Sequence, residues 1–303
     1  MAASEGPAGL DGLVTEARRS DGDYAGRSTL ELVELMNSED ASVPAAVGAV
    51  ADGLAAAIDA IVERVAAGGR LVYAGAGSSG RIAALDAEEC EATFSTAPGQ
   101  VVALVAGSEA ASSAEREAAE DDDGAGRRAV EALGVSAADA VVGVSASGRT
   151  PYVVGALQAA VEAGTLTVAL TAARDSQLGA LADHDLAVLV GPEVVSGSTR
   201  LKTGTAQKLV LNTISTVTMI RLGKTFGDLM VDVRASNEKL AARARRVVRE
   251  AAGVSDEQAQ EALAAAGGSA KVAVVALLAD LDPDAARARL NRAGGDIQAA
   301  LGR

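Results

Sequence analysis

Short apolar runs recur through the middle of the chain at the spacing of alternating strands and helices. Each run is rich in Val and Leu, and four of the five are almost continuously apolar. The runs are "RLVYAGA" (70–76), "QVVALVAG" (100–107), "AVVGVSAS" (140–147), "TLTVALT" (165–171) and "LAVLVG" (186–191). Continuous apolar runs are typical of strands buried on both faces, which predicts a parallel sheet.

Helical patterns separate and flank these runs, so we expect an α/β fold with a doubly wound five-stranded parallel sheet. Ser28 is a predicted N-cap, with Glu31 at the capping-box position. A second helix is predicted from Pro44 to the glycines at Gly68. One long helix is predicted over residues 202–222.

The two ends of the chain have different patterns from the middle. Residues 1–27 are rich in Gly, Ala, Ser and Asp, which predicts a loose segment. Residues 253–303 have no strand pattern and show three short helical pieces, which predicts a small three-helix module.

Composition narrows the classes of protein. The chain of 303 residues has a net charge of −14 and 2% aromatic residues, which argues against nucleic-acid binding. One cysteine, Cys90, allows no disulfide framework and fits a reducing cytoplasm. The start of the chain lacks the pattern of a secretion signal. The longest apolar run, "VAVVALLA", is far shorter than the ~20 residues of a membrane helix. We therefore expect a cytoplasmic protein with no membrane partner.

The stretch "YAGAGSSGRIAAL" contains Gly75, Gly77 and Gly80 at the spacing of a dinucleotide-binding turn. Such a site also uses an acidic residue ~20 positions further on, which binds the ribose hydroxyl. The corresponding stretch, "TAPGQVV", has no acidic residue. The sequence therefore argues against a dinucleotide.

Turns rich in hydroxyl groups follow three of the predicted strands. They are "GAGSSGR" after the first strand, "SASGRTP" after the third and "GPEVVSGSTR" after the fifth. Carboxyl ends of parallel strands meet at one edge of a sheet, where ligands bind. Helix N-termini attract anions, and serine and threonine hydroxyls add donors. Together the turns predict a phosphate site.

These turns, with "GTAQKLVLN", resemble the sugar isomerase domain, which binds phosphosugars. More narrowly, "STLELVELMNSEDASVPAAV", "LDAEEC", "AAEDD" and "FGDLMVDVRASNEKL" resemble the N-acetylmuramic acid 6-phosphate etherase family. The resemblance runs from about residue 27 to the end of the chain. Glucokinase regulatory proteins share parts of the same pattern.

The resemblance implies an αβα sandwich and a domain division. Residues 1–45 would be an N-terminal segment and helical arm, and residues 46–235 the sugar isomerase domain. Residues 236–303 would be a helical connector and a three-helix module that resembles a ubiquitin-associated fold. The family also implies a small phosphosugar ligand, a homodimer, and neither a metal nor an organic cofactor.

The activity implied by the resemblance is cleavage of the D-lactyl ether of N-acetylmuramic acid 6-phosphate, by elimination and then water addition. The products would be N-acetylglucosamine 6-phosphate and D-lactate, in cell-wall recycling. Two alternatives stay open: an aldose–ketose isomerase acting on another 6-phosphosugar, and a non-catalytic phosphosugar sensor. A sensor needs the serine turns but not a pair of catalytic carboxylates.

Elimination needs groups that exchange protons near neutral pH, and carboxylates are the candidates in a chain with one histidine. The resemblance places these roles on Glu89 in "LDAEEC", as the acid that protonates lactate, and on Glu120 in "AAEDD", as the base at C2. It also implies a set of phosphate- and sugar-binding hydroxyls: Ser78, Ser79, Ser145, Ser147, Thr150, Ser196 and Ser198.

The position of Glu89 raises a geometric problem. Gly80 and Glu89 are nine residues apart, which is ~13 Å along a helix. The distance from the 6-phosphate of a sugar to its C3 is shorter. We therefore expect either that the helix ends near Asp86 or that Glu89 serves a site formed with a second subunit.

Overall fold

The computed structural model describes residues 12–20, 22–110, 112–232 and 238–302. Residues 1–11 lie outside the described residues. The predictions of a loose segment and of no secretion signal at this part of the chain are therefore not tested there. The chain divides into two compact units. The first comprises Met1–Ala87 with Val101–Ile214, and the second comprises Glu88–Gln100 with Ser215–Arg303. The three-part domain division made from the sequence stays a prediction.

The first unit contains a five-stranded parallel sheet. Its strands are β1 (Leu71–Gly75), β2 (Val101–Val105), β3 (Ala140–Val144), β4 (Leu166–Thr171) and β5 (His184–Ala187). The strand order is β2-β1-β3-β4-β5, and every neighbouring pair is parallel. Strands β1, β3 and β4 are buried along their whole length, as their Val- and Leu-rich runs predicted.

Helices alternate with the strands. A 3₁₀ helix at Val14–Glu16 precedes the first α-helix. The α-helices are α1 (Thr29–Asp40), α2 (Val43–Gly48), α3 (Ala51–Ala66), α4 (Gly77–Phe94), α5 (Ser113–Glu120), α6 (Asp123–Leu133), α7 (Pro151–Glu162), α8 (Gln177–Leu181) and α9 (Lys202–Arg221). The predicted capping box is present at the start of α1. The side chain of Ser28 accepts a hydrogen bond from the backbone N–H of Glu31, and the side chain of Glu31 accepts one from the backbone N–H of Ser28.

Helices cover both faces of the sheet. Successive strand residues point to opposite faces. Gly143 faces α7, because a Cβ atom there would lie 3.2 Å from Val153. Tyr73 pairs with the residue before Gly143 and points to the other face. There its hydroxyl donates to Asp86 of α4 at 2.8 Å, and Asn212 of α9 donates to the same carboxylate at 2.5 Å. The predicted αβα sandwich is confirmed.

One predicted helix is divided in the structure. The helix expected from Pro44 to Gly68 is interrupted after Gly48, because α2 ends there and α3 begins at Ala51. Gly48 has a low helix propensity and weakens a continuous helix at that point. The long helix predicted over residues 202–222 is confirmed within one residue.

The fifth strand begins earlier than predicted, and His184 is its first residue rather than a residue before it. His184 pairs with Val168 and Ala187 pairs with Thr171. Val188 and Val190 are buried, but they lie beyond the strand. The prediction followed apolar burial, which here continues after the ladder has ended.

The second unit is mainly helical. Its helices are α10 (Glu238–Ala252), α11 (Asp256–Ala265), α12 (Ala270–Ala279), α13 (Pro283–Arg292) and α14 (Ile297–Leu301). A short hairpin of β6 (Thr225–Phe226) and β7 (Leu229–Met230) precedes them. The predicted three-helix module after residue 253 has four helices, because the chain turns at Gly294 and Gly295 and divides the last piece. Its core packs Val247, Val274 and Leu290 together.

The turn between β1 and α4 depends on a close approach of two backbone segments. A Cβ atom on Gly75 would lie 2.8 Å from the Cα of Gly80. A Cβ atom on Gly80 would lie 2.8 Å from the carbonyl oxygen of Gly75 and equally close to Val105. Real Cβ atoms do not approach other atoms so closely, so both positions need glycine. The glycine spacing that resembles a dinucleotide fingerprint thus packs the helix start against the strand end.

No single helix in the described ranges is both long and apolar enough to cross a membrane. Two bent pairs meet the criteria of length and composition only when their segments are taken together. One pair joins Thr29–Gly48 with Ala51–Ala66, and the other joins Asp256–Ala265 with Ala270–Ala279.

Replacing Gly75 with Ala should destabilise the protein by about 1–3 kcal/mol, because the methyl group overpacks the strand–helix turn. Gly48→Ala is a matched control, since Gly48 has open space around it and ends α2. It should leave stability unchanged or raise it by up to about 1 kcal/mol. Urea unfolding followed by circular dichroism measures both values. Equal stability of the two variants would contradict the packing argument.

Candidate functional site

Predicted residues from two of the three hydroxyl turns line one cavity of about 560 Å³ in the first unit. The turn after β1 contributes Ser78 and Ser79, which lie in the first turn of α4. The turn after β3 contributes Ser147 and Thr150, which precede α7. The parallel sheet brings them together because β1 and β3 are neighbours and end at the same edge.

The third turn contributes to the same cavity through a different residue from those predicted. Thr199 lines the cavity. Ser198 is half-buried, and the hydroxyl of Ser196 donates to the backbone carbonyl of Glu16 at 2.6 Å. The turn is therefore part of the site, while the sugar-binding roles of Ser196 and Ser198 stay a prediction.

Ser145 is buried behind the second turn and organises it. Its hydroxyl lies 2.8 Å from the hydroxyl of Thr150 and 3.5 Å from that of Ser147. It also accepts from the backbone N–H of Gly148 at 3.0 Å. These contacts hold the two cavity-lining hydroxyls in place before a ligand arrives, which reduces the entropy lost on binding.

Glu120 is the predicted catalytic residue that lines the cavity. It is the last residue of α5 and is half-buried. Burial raises the pKa of Glu120, and the nearby charges of Asp121 and Glu117 raise it further, while the guanidinium of Arg81 opposes this. A raised pKa brings a carboxyl group closer to the pH at which it can exchange protons efficiently.

Gly77 makes room for the Glu120 carboxylate. It has a φ of +53°, in the left-handed region, and a Cβ atom there would lie 2.8 Å from Oε1 of Glu120. The carboxylate therefore lies against bare backbone at the start of α4, next to the first serine turn.

The other predicted catalytic residue, Glu89, lies in the second unit and is exposed on α4. The expectation that this helix ends near Asp86 is wrong, because α4 continues to Phe94. Asp86 is instead held in mid-helix by the hydroxyl of Tyr73 and the amide of Asn212. The remaining explanation, a site formed with a second subunit, stays a prediction.

Sequence reasoning missed several cavity residues on α5. Ser113, Arg116 and Glu117 line the cavity together with Glu120. They lie seven, four and three positions before Glu120, respectively, which places all four on one side of the helix. Once Glu120 is assigned to the site, the 3.6-residue period of a helix predicts that these three residues lie on the same face.

Two arginines supply positive charge at the cavity wall. Arg81 donates to the hydroxyl of Ser78 at 3.0 Å. Arg116 donates to the carbonyl of Ala110 at 3.3 Å and to the hydroxyl of Ser113 at 3.2 Å. In a chain of net charge −14, such local cations favour an anionic ligand at this edge.

The segment before α1 also forms part of the cavity. We call residues 13–16 the N-terminal strap. The prediction that residues 1–27 are loose is wrong for the strap, because Leu13 and Thr15 are buried and both line the cavity with Glu16. The backbone N–H of Gly197 donates to the carbonyl of Thr15 at 3.0 Å.

A buried carboxylate fixes the third turn. Glu193 is fully buried and accepts from the backbone N–H groups of Lys202 and Thr203, both at 3.0 Å, and from the hydroxyl of Thr203. It therefore caps the start of α9. The Lys202 amino group pairs with Glu39 of α1 at 2.7 Å, and this hydrogen bond is the main cause of the lowered pKa of Glu39.

In the part of the chain that the structure describes, no three His, Cys, Asp or Glu side chains cluster so that they could hold a metal ion.

Two protein-family models match this chain. One describes the glucokinase regulatory protein N-terminal SIS domain and matches residues 53–161, and the other describes the SIS domain and matches residues 128–216. A phosphoheptose isomerase from Francisella tularensis has a similar solved structure, with a TM-score of 0.50 and 19% identity. The match covers 64% of this chain and 100% of that one. At this identity the likeness shows the fold alone. The sheet and its turns thus define a SIS-domain protein.

Curated relatives narrow the class. An N-acetylmuramic acid 6-phosphate etherase of Rubrobacter xylanophilus is 56% identical over 97% of this chain and 97% of its own length. Those of Streptomyces coelicolor and Escherichia coli are 54% and 46% identical, each over 96% of this chain and over 94% and 98% of their own lengths. The chain belongs to the N-acetylmuramic acid 6-phosphate etherase family, which confirms the resemblance seen in the motifs.

Replacing Glu120 with Gln should change how stability depends on pH. The pKa of Glu120 is raised above its ordinary value of 4.5 in the folded protein, so the folded state keeps this proton to a higher pH than the unfolded chain. The unmodified protein should therefore lose stability relative to Glu120→Gln as the pH rises from below 4.5 through the folded pKa. Urea unfolding at about pH 4 and about pH 7 measures this. A stability difference that is the same at both pH values would contradict it.

Proposed function

We propose that this protein is a cytoplasmic lyase that cleaves the D-lactyl ether of N-acetylmuramic acid 6-phosphate. The products are N-acetylglucosamine 6-phosphate and D-lactate, and the role is recycling of cell-wall sugars. The observation that carries the proposal is the half-buried Glu120 in a hydroxyl-lined cavity, in a chain whose named relatives match it over almost its full length.

The phosphate group would bind at the serine turns. Backbone N–H groups at the start of a helix carry partial positive charge, and the hydroxyls of Ser78, Ser79, Ser147 and Thr150 add donors around one space. A cavity of about 560 Å³ lies within the range of small-ligand sites. Ser145 would act behind them, through its contacts with the second turn.

Glu120 would remove the proton from C2 of the open-chain sugar, next to the aldehyde. The electron pair of the C2–H bond forms the C2–C3 double bond, and the C3–O bond to lactate breaks. A second carboxyl group, Glu89, would protonate the departing lactate oxygen. Water then adds its oxygen to C3, and a proton returns to C2. A raised pKa suits Glu120 to this task, because it makes the carboxylate a stronger base.

We further propose that the protein is a homodimer and that Glu89 acts in the site of the partner subunit. Along α4, Glu89 lies ~13 Å from Gly80 at the phosphate turn, which exceeds the span from the 6-phosphate to C3. This helix is continuous over that distance. A site shared between subunits would let Glu89 reach the leaving group without a break in α4.

Incubation with N-acetylmuramic acid 6-phosphate in ¹⁸O-water tests the reaction. We expect release of unlabelled D-lactate and one ¹⁸O atom in the sugar product, because the C3–O bond breaks on the sugar side. Glu120→Gln should lower kcat by about 10²–10⁴-fold and stop exchange of the C2 proton with solvent. Glu109→Gln is the control, because Glu109 is an exposed glutamate that follows β2 and does not line the cavity. Absence of lactate would reject the lyase, and C2 exchange without lactate would favour an isomerase.

Mixing two inactive variants tests the shared site. Glu89→Gln and Glu120→Gln protein, unfolded together in equal amounts and refolded, should form mixed dimers in half of the assemblies. If each site draws one carboxylate from each subunit, one of the two sites in a mixed dimer is intact, so about one quarter of full activity should return. Each variant refolded alone is the control. No recovery from refolded dimers would place both carboxylates in one chain.

A further inference from the structure

Two carboxylates in the cavity have the same kind of backbone support. Glu120 lies against Gly77, as described above. Glu16 of the N-terminal strap lies against Gly197, where a Cβ atom would be 2.5 Å from Oε2 of Glu16. Gly197 has a φ of +76°, which also favours glycine. Both glutamates line the same cavity, and the proposed reaction assigns a role to Glu120 alone.

The strap that carries Glu16 is fixed to the third turn by its own backbone. The carbonyl of Thr15 accepts from the N–H of Gly197 at 3.0 Å, and the carbonyl of Glu16 accepts from the hydroxyl of Ser196 at 2.6 Å. Thr15 is 3% exposed, and Leu13 is 7% exposed. Hydrogen bonds thus hold the backbone carbonyls of Thr15 and Glu16, so the backbone that carries the Glu16 carboxylate is fixed in place.

A second anchor follows the strap along the chain. The hydroxyl of Tyr24 donates to the carbonyl of Val194 at 2.7 Å. Arg19 pairs with Glu39 at 2.7 Å, and Lys202 pairs with the other oxygen of the same carboxylate. Thr15, Glu16 and Tyr24 are therefore tied to the third turn, and Arg19 is linked to α9 through Glu39, so the strap is a fixed wall of the cavity.

The serine turns and the N-terminal strap line different parts of the cavity, and a phosphosugar has groups that suit each of them. Its phosphate needs donors, which the serine turns and helix starts supply. Besides the phosphate, the lactyl carboxylate and the acetyl carbonyl, the proposed substrate has hydroxyls and an amide N–H that can donate hydrogen bonds. An ionised carboxylate only accepts hydrogen bonds, and charge-assisted bonds of this kind are strong. A carboxylate repels phosphate, so Glu16 fits the sugar rather than the phosphate.

We propose that Glu16 is a substrate-binding residue whose carboxylate accepts hydrogen bonds from the hydroxyl or amide groups of the sugar, and that the N-terminal strap is the sugar-binding wall of the site. This inference rests on the proposed function, because it takes a phosphosugar as the ligand. It adds to that function a determinant of the sugar part of the substrate.

Calorimetric titration of Glu16→Gln with two ligands tests the proposal. Affinity for N-acetylglucosamine 6-phosphate should fall about 10–100-fold, since a hydrogen bond to a charged group is lost. Affinity for inorganic phosphate should not fall, because that ligand uses the serine turns. Glu34→Gln is the matched control, an exposed glutamate on α1 outside the cavity. It should match the unmodified protein with both ligands.

Other outcomes have distinct meanings. If Glu16→Gln binds the sugar phosphate as tightly as the unmodified protein, the proposal is overturned. If it loses affinity for both ligands equally, Glu16 has only a structural role, and the proposal is again overturned. These outcomes can be distinguished from a failure of the proposed function. In that case the unmodified protein would release no lactate from N-acetylmuramic acid 6-phosphate.

Hydrogen exchange on the unmodified protein gives a test that does not depend on any variant. N-acetylglucosamine 6-phosphate should slow amide exchange in a peptide that covers the N-terminal strap, and inorganic phosphate should not. Exchange in the first serine turn should slow with both ligands. Protection of the serine turn by the sugar phosphate without any change at the strap would contradict a sugar-binding wall.

Discussion

The close backbone approach of Gly75 and Gly80 is the constraint on which the site depends. It brings the first turn of α4 directly onto the end of β1, so that the N–H groups and the hydroxyls of Ser78 and Ser79 are presented at the edge of the sheet. The same turn places Gly77 against the Glu120 carboxylate. A larger residue at any of these glycines would move either the phosphate turn or the carboxylate, so one short segment sets the geometry of both.

Charge and shape act together around this turn. The cavity contains the guanidinium groups of Arg81 and Arg116 and the carboxylates of Glu16, Glu117 and Glu120, within a strongly acidic chain. Burial keeps the pKa of Glu120 raised even though the Arg81 cation lies near it. The hydroxyl turns carry no formal charge, so they can surround a phosphate without lowering that pKa as more cations would.

The strands, α9 and the serine turns could be predicted because their signals are local. Val- and Leu-rich runs identify strands buried on both faces, and Ser28 with Glu31 identifies a helix start. The predicted start of β5 was wrong because His184 and Asp185 pair in the ladder although they are polar and lie before the apolar run. The N-terminal strap was missed because its burial comes from a turn far along the chain, and a single segment's composition does not record such a contact. The roles of Glu89 and Glu120 came from motif resemblance, since surface and catalytic glutamates have the same local pattern.

The N-terminal strap has a consequence for how the protein is made. Its backbone partner Ser196 lies 180 positions later in the chain than Glu16. A ribosome therefore completes all five strands of the sheet and begins the third turn before the strap can form these hydrogen bonds. Contacts between such distant positions form late, because the chain must close a very long loop first. The strap is thus synthesised before the sheet but is among the last parts of the first unit to fold, and the cavity gains its final wall only when most of that unit already exists.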